Sequence, residues 1–248
     1  MPSAYSIEVQ GLTKKFGDFT AVNEINFNTK KGEIFGFLGA NGAGKSTAMK
    51  MLCGLLSPTS GQAKVAGFDI YTQRENVKSR IGYMSQKFSL YQDLTARENI
   101  RFYAGIYGMP DKEIKQKTDE LLNRLHLHDF ADVQIHSLPL GWKQKLAFSV
   151  AVFHDPEIVF LDEPTGGVDP VTRRDFWEMI TQTAEEGTTI FVTTHYMDEA
   201  EYCDRISIMV DGRIDALGSP EELKQNFAAN SMDEVFIQLA RPTAGKLG

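Results

Sequence analysis

The chain has 248 residues, 42% of them hydrophobic, with a net charge of −7 and a pI near 5.3. This length holds one large domain or a core with a subdomain, and the acidic balance argues against a broad nucleic-acid surface, though it leaves room for a local basic patch. The two cysteines, Cys53 and Cys203, stand far apart without a CxxC pattern and fit buried thiols in a reducing compartment; no apolar run reaches the length of a bilayer span and no signal-peptide pattern is present, so any membrane role must come through a partner.

Segments 7–9 and 21–27 are expected to pair as antiparallel strands near the N-terminus. The apolar stretch Glu33-Ile34-Phe35-Gly36-Phe37-Leu38 then predicts a buried strand that runs into Gly39-Ala40-Asn41-Gly42-Ala43-Gly44-Lys45-Ser46. That run fits G-x-x-x-x-G-K-[ST], the phosphate-binding loop of P-loop NTPases. Its glycines permit backbone conformations in which successive N–H groups point inward at phosphate oxygens. Lys45 adds a compact positive charge near the β- and γ-phosphates, and the Ser46 hydroxyl suits Mg²⁺. Thr47 continues into a predicted helix over 46–52 whose positive end lies under the phosphates. The loop is therefore expected to hold a nucleoside triphosphate with Mg²⁺, through Gly39, Asn41, Gly42, Ala43, Gly44, Lys45, Ser46 and Thr47.

Further along, Ser57-Pro58-Thr59-Ser60-Gly61 is a turn, and 80–84 is a short strand leading to Gln86. From about 87 to 154 the pattern becomes helical. Thr95-Ala96-Arg97-Glu98 is a capping box that opens an amphipathic helix, a second helix is expected over 111–125, and a third starts near Gly141. Strands return at 157–161, 188–193 and 205–210. Between the first two of these, Asp169 is an N-cap with Pro170 at the first helical position. Ser219-Pro220-Glu221-Glu222 opens another helix, and Ser231-Met232-Asp233-Glu234 a last short one. Alternating strands and helices imply an α/β fold with a mostly parallel sheet covered on both faces.

Two further sites follow from that topology. The strand Ile158-Val159-Phe160-Leu161 ends in Asp162 and Glu163, and a parallel sheet gathers the carboxyl ends of its strands on one ligand-binding edge. Asp162 then sits beside the Mg²⁺ held by Ser46, while Glu163 points elsewhere and can polarise an attacking water. His195 follows the 188–193 strand onto the same edge, within reach of a γ-phosphate. Taken alone, such a histidine is usually a surface or capping group.

Taken together, these residues resemble the ATP-binding subunit of ABC transporters over nearly the whole chain, with the motifs in the family's order. The resemblance implies a RecA-like P-loop NTPase core over 1–86 and 155–230 that includes an N-terminal antiparallel β subdomain. It also implies an inserted α-helical subdomain over 87–154 and a C-terminal helix and tail over 231–248. It assigns Gln86 to the Q-loop, as a Mg²⁺-sensing hinge, and Leu161-Asp162-Glu163-Pro164-Thr165 to Walker B with Glu163 as catalytic base. Gly166-Gly167-Val168-Asp169 becomes the D-loop, His195 the switch histidine, and Phe16 the aromatic that stacks on adenine. The lesser alternative for Phe16 is a packed strand-end aromatic. Thr194-His195-Tyr196-Met197-Asp198-Glu199-Ala200-Glu201, followed by Cys203-Asp204-Arg205, resembles the ABC-2 exporter branch.

One departure stands out. Where the family signature reads Leu-Ser-Gly-Gly-Gln, this chain has Leu138-Pro139-Leu140-Gly141-Trp142. Pro139 supplies neither hydroxyl nor N–H; Gly141 and the helix behind it still offer N–H groups to a phosphate on an opposing subunit. The resemblance thus implies an ATPase at the cytoplasmic face of the inner or plasma membrane. Its expected partners are a transmembrane permease subunit and a second ATP-binding domain, either an identical chain or a tandem half, with no nucleic acid. The permease is expected to dock where Phe88, Leu90 and Tyr91 form an apolar cluster. A nucleotide-binding regulatory module with weak turnover, or a soluble ABC ATPase acting on ribosomes, are the alternatives.

Overall fold

In the computed structural model, residues 4–86, 90–125 and 128–240 are described. The strands are β1 (Tyr5–Phe16), β2 (Phe19–Lys30), β3 (Ile34–Gly39), β4 (Ser60–Val65), β5 (Phe68–Asp69), β6 (Ile81–Met84), β7 (Ile158–Asp162), β8 (Thr189–Thr194), β9 (Arg205–Val210) and β10 (Arg213–Gly218). The helices are α1 (Lys45–Leu52), α2 (Arg74–Arg80), α3 (Ala96–Ile106), α4 (Asp111–Arg124), α5 (Leu140–Val152), α6 (Pro170–Glu185), α7 (Pro220–Asn226) and α8 (Met232–Ala240), with a 3-10 helix at Met197–Tyr202.

Two sheets organise the chain. The first runs β2-β1-β4-β5 and is antiparallel; the second runs β10-β9-β3-β8-β7-β6 and is parallel except at β10. Every residue of β3, β7 and β8 is buried, as expected of central strands covered on both faces. Alternation divides their side chains between two cores. Phe35, Phe37, Phe160 and Phe191 face the antiparallel sheet, where they join Phe27 with ring centroids 5.3–6.0 Å apart. Leu38, Val159, Leu161, Ile190 and Val192 face the helical side, together with α3, α5, α6 and α8. The fold is therefore the P-loop NTPase α/β type anticipated above.

The helical segment is tied closely to this sheet. α5 is buried nearly all round, the pattern of a helix with no solvent face to spare. It crosses β6 so tightly that a Cβ on Gly82 would meet the Ala151 carbonyl oxygen at 2.1 Å. The capping box at Thr95 and Glu98 forms in full, as does the one at Ser219 and Glu222.

Several expectations need correction. β1 and β2 are each twelve residues long, well beyond 7–9 and 21–27. Register shifts interrupt their pairing and break the period-two signal. The strand expected from residue 80 starts at Ile81, because Arg80 closes α2. The third helix of the insertion does start near Gly141, at Leu140, with Pro139 as its N-cap. The apolar cluster proposed for docking does not survive as drawn. Leu90 is buried in the helical-side core, Phe88 lies outside the described residues, and Tyr91 is exposed, edge-on to Phe102 at 4.8 Å.

Candidate functional site

The registers of the parallel strands decide what converges. Leu38 pairs with Thr194, Asp162 with Thr193 and Met84 with Leu161. The segments leaving β3, β6, β7 and β8 therefore emerge on one edge, and each carries a residue singled out from the sequence.

The loop after β3 needs its glycines for steric reasons. Gly44 has φ +104, and a Cβ there would meet the Ala21 carbonyl oxygen at 2.3 Å. Gly44 is also the N-cap of α1, so the first-turn N–H groups of Lys45, Ser46 and Thr47 lack intrahelical partners and point out of the helix end. Asn41 and Gly42 lie exposed at the loop tip, while Ala43 is buried under it. The Lys45 side chain is 4% exposed. It donates to the carbonyls of Gly39 at 2.8 Å and Ala40 at 3.1 Å, and lies 3.4 Å from Glu163 Oε1. Burial pushes the Lys45 pKa down; the Glu163 and Asp162 carboxylates pull it back in part.

Asp162 and Ser46 meet directly: the Ser46 hydroxyl donates to Asp162 Oδ1 at 2.9 Å, and the Thr193 hydroxyl donates to the same oxygen at 2.7 Å. Glu163 stands beside this pair. Its backbone takes a left-handed conformation, φ +48, uncommon for a residue with a side chain and found preferentially at functional sites. Its N–H is held by the Thr193 carbonyl and hydroxyl at 3.0 and 3.1 Å. Its carboxylate accepts from Gln86 Nε2 at 2.8 Å and lies 3.2 Å from His195 Nδ1. Lys45, Ser46, Gln86, Asp162, Glu163 and His195 thus form one cluster drawn from four loops.

These residues suit a magnesium ion with a phosphate chain. Ser46 and Asp162 offer two hard oxygen donors beside the loop. Among the described residues no group of three His, Cys, Asp or Glu side chains could hold a metal. Such a pairing fits Mg²⁺, which keeps waters and phosphate oxygens in its shell and takes few protein ligands.

Three expected site residues lie elsewhere. Phe16 is half exposed, with the Lys14 ammonium 4.9 Å above its ring. Gly141 and Asp169 line a separate groove with Leu140, Val168 and Thr172. Both Asp169 oxygens are used locally: Oδ1 accepts from the N–H groups of Val171 and Thr172 at 3.0 Å, and Oδ2 from the Thr172 hydroxyl at 2.6 Å. The Thr172 hydroxyl and N–H hold its carboxyl below the usual range. Gly141 is needed because a Cβ there would meet Thr172 Cγ2 at 2.7 Å. Sequence reasoning missed Thr193, which fixes both Asp162 and the Glu163 backbone. Its only signal was its place in a strand directly before Thr194-His195.

Residues 22–166 match the ABC transporter family. A curated relative, the probable multidrug ABC transporter ATP-binding protein YbhF of Escherichia coli (strain K12), is 49% identical over 96% of this chain. The chain spans 42% of that protein's length. The Nod factor export ATP-binding protein I of Rhizobium sp. (strain N33) is 37% identical over 97% of the chain and 82% of its own length. Among solved structures, the dimeric post-hydrolysis state of the ATP-binding cassette MJ0796 bound to ADP and Pi superposes with a TM-score of 0.77. It is 26% identical and covers 86% of this chain and 98% of its own.

Proposed function

This chain belongs to the ABC transporter family and is an ABC ATPase domain, and from that premise we propose that it is the motor of an ABC-2 type exporter, working by ATP-driven closure of two such domains. The observation that carries the proposal is the Glu163 carboxylate held among Lys45, Gln86 and His195, next to the Ser46–Asp162 pair. In this reading Lys45 and the first-turn N–H groups of α1 bind the phosphates. Glu163 accepts the proton of the attacking water, and His195 orients that water or the γ-phosphate. Bound Mg²⁺, held by Ser46 and Asp162 with Gln86 sensing it, supplies charge neutralisation at the phosphate oxygens. Phe16 stacks on the adenine, and Gly141 with the start of α5 closes over the γ-phosphate of the opposing domain. Asp169 borders that same interface.

The rest of the assembly belongs to the same proposal. Residues 1–86 with 155–230 act as the ATP-binding core, 87–154 as the lever and 231–248 as a terminal helix and tail. The partner is a transmembrane permease, and the placement is the cytoplasmic face of the membrane. Among the described residues no helix is long and apolar enough to cross a membrane. The exporter assignment is supported by Thr194-His195-Tyr196-Met197-Asp198-Glu199 and by relatives whose names specify multidrug transport and Nod factor export.

The test is ATPase rate per mole of protein as a function of protein concentration, with Mg²⁺. Closure of two domains requires specific activity to rise steeply and then level off. A rate independent of concentration would remove the dimer mechanism. No turnover at any concentration, with ATP still bound, would favour a regulatory nucleotide-binding module.

The altered signature gives a second expected result. Pro139 caps α5 through its carbonyl, with φ −57 and ψ 151 and no side-chain bond. Serine accepts that backbone, and its hydroxyl would cap the helix for about 1 kcal/mol. Losing proline costs about 0.4–1 kcal/mol through the unfolded chain. The terms nearly cancel, so Pro139→Ser should melt within about 3 °C of the parent. ATP-driven dimerisation should be unchanged, or tighter by about tenfold if the hydroxyl reaches a phosphate. A weaker dimer in sedimentation would mean that the proline ring itself builds the interface.

A further inference from the structure

Glu199 is a charged residue with no exposed surface, and nothing in the mechanism above uses it. It lies in the 3-10 helix Met197–Tyr202, four residues past His195. Its Oε1 accepts a short hydrogen bond from the Thr165 hydroxyl, on the loop that leaves Glu163. Arg173 Nε, on α6 behind Asp169, stands 3.6 Å from the same oxygen. Burial pushes its carboxyl pKa up, and the Thr165 hydroxyl and the Arg173 guanidinium pull the other way. One side chain therefore touches the loop of the catalytic carboxylate, the loop of the histidine and the helix that Asp169 begins.

Two more observations bear on its purpose. Arg173 is only partly buried beside the fully buried Glu199, and an ion pair taken out of water contributes little to stability compared with apolar packing of the same volume. The junction is also incompletely bonded. Glu199 Oε2, Trp177 Nε1 and Arg173 Nε are buried and lack hydrogen-bond partners among the described residues. The surroundings link the same elements again: the Arg173 guanidinium lies 4.3 Å from the Tyr196 ring centroid, and the Trp177 and Tyr202 rings stack at 5.0 Å. Met232 and Val235 of α8 are buried in the same core, which leaves the 3-10 helix little freedom to move alone.

We propose that Glu199 is a positioning residue that locks the Glu163 loop, the His195 loop and the start of α6 into one mechanical unit, so that the hydrolytic groups and the groove at Asp169 move together. This rests on the ATPase reading above. Its consequence is that removing the charge, without changing the volume, should disturb the alignment of Glu163 and His195 but not the phosphate loop.

The test compares the 248-residue chain with Glu199→Gln, Thr165→Val and the double variant. Each is measured for ATP affinity, KM, kcat and melting temperature. Misalignment of this kind costs on the order of tenfold to a hundredfold in rate. The expected result is a fall in kcat of that size in both single variants, with ATP affinity and KM within about twofold, and a fall in the double variant smaller than the product of the two, because Glu199→Gln removes the charge and Thr165→Val the donor of one contact. If Glu199→Gln does not fold, Thr165→Val decides alone, since it deletes one hydroxyl at constant shape. A kcat within twofold of the parent in Thr165→Val, or KM rising in step with the loss of kcat, overturns the proposal. The ATPase reading fails separately: the parent chain would then show no turnover that Glu163→Gln abolishes.

Discussion

Glu163→Gln is expected to bind ATP as tightly as the parent chain, to lose hydrolysis, and to accumulate an ATP-bound dimer. The amide keeps the volume of the carboxylate, and its oxygen can still accept from Gln86, which now lies 2.8 Å away. The left-handed backbone at this position does not distinguish Glu from Gln, and the Thr193 carbonyl and hydroxyl continue to hold the N–H. What disappears is an acceptor for the proton of the attacking water, and general-base catalysis contributes about 10²–10⁴ in rate. Binding is expected to persist because the groups proposed to hold the phosphates, Lys45, Ser46 and the first turn of α1, do not change. Steady-state turnover and sedimentation with ATP check both halves. Turnover within tenfold of the parent, about 1.4 kcal/mol of barrier, would show that another group takes the proton.

The candidate cluster was readable because its residues stand in short contiguous strings. Gly39 to Ser46 must be glycine-rich wherever it occurs, and an apolar strand ending in Asp162-Glu163 announces both its burial and its edge. A parallel sheet then brings such strand ends together without any further information. Residues whose meaning depends on a distant partner were not readable. Glu199 looks like one more solvated acid in Met197-Asp198-Glu199-Ala200-Glu201 until the fold places Thr165, 34 positions earlier, against it. Thr193 is similarly silent, since the carboxylate that it serves sits on the neighbouring strand.

Secondary structure failed where local pattern and tertiary environment diverge. β1 and β2 carry bulges that interrupt alternation, so only their most regular stretches were visible. Helix α2 buries a single residue, Val77, too little for a 3.6-residue period to emerge. Leu90 was assigned to a surface cluster because its neighbours are apolar, but an apolar run does not reveal which of its members turns inward. The fold settles that by packing Leu90 into the core of the helical segment while Tyr91 stays out.

Lys45→Ala is expected to lower MgATP affinity by about a hundredfold, with little loss of stability. Removing a charged donor to a phosphate costs on the order of 1.5–3 kcal/mol, and the lost charge acts on more than one phosphate oxygen. The effect on folding is different in kind. Burial is the largest influence on the Lys45 pKa and lowers it, so the folded chain holds the charged form less readily than the unfolded chain does. For a cation whose folded pKa is depressed, charge costs the fold stability below that pKa, and the cost fades as pH rises through it. Alanine removes this penalty. Against the gain stand the lost bonds to the Gly39 and Ala40 carbonyls and the lost partner of Glu163, each worth about 1 kcal/mol or a little more. These opposed changes leave the melting temperature within about 4 °C of the parent. Nucleotide titration and thermal unfolding of one preparation separate the two quantities. An unchanged affinity would remove the phosphate-binding assignment of this loop. A collapse of the melting temperature would mean that Lys45 holds the loop together rather than serving the phosphates.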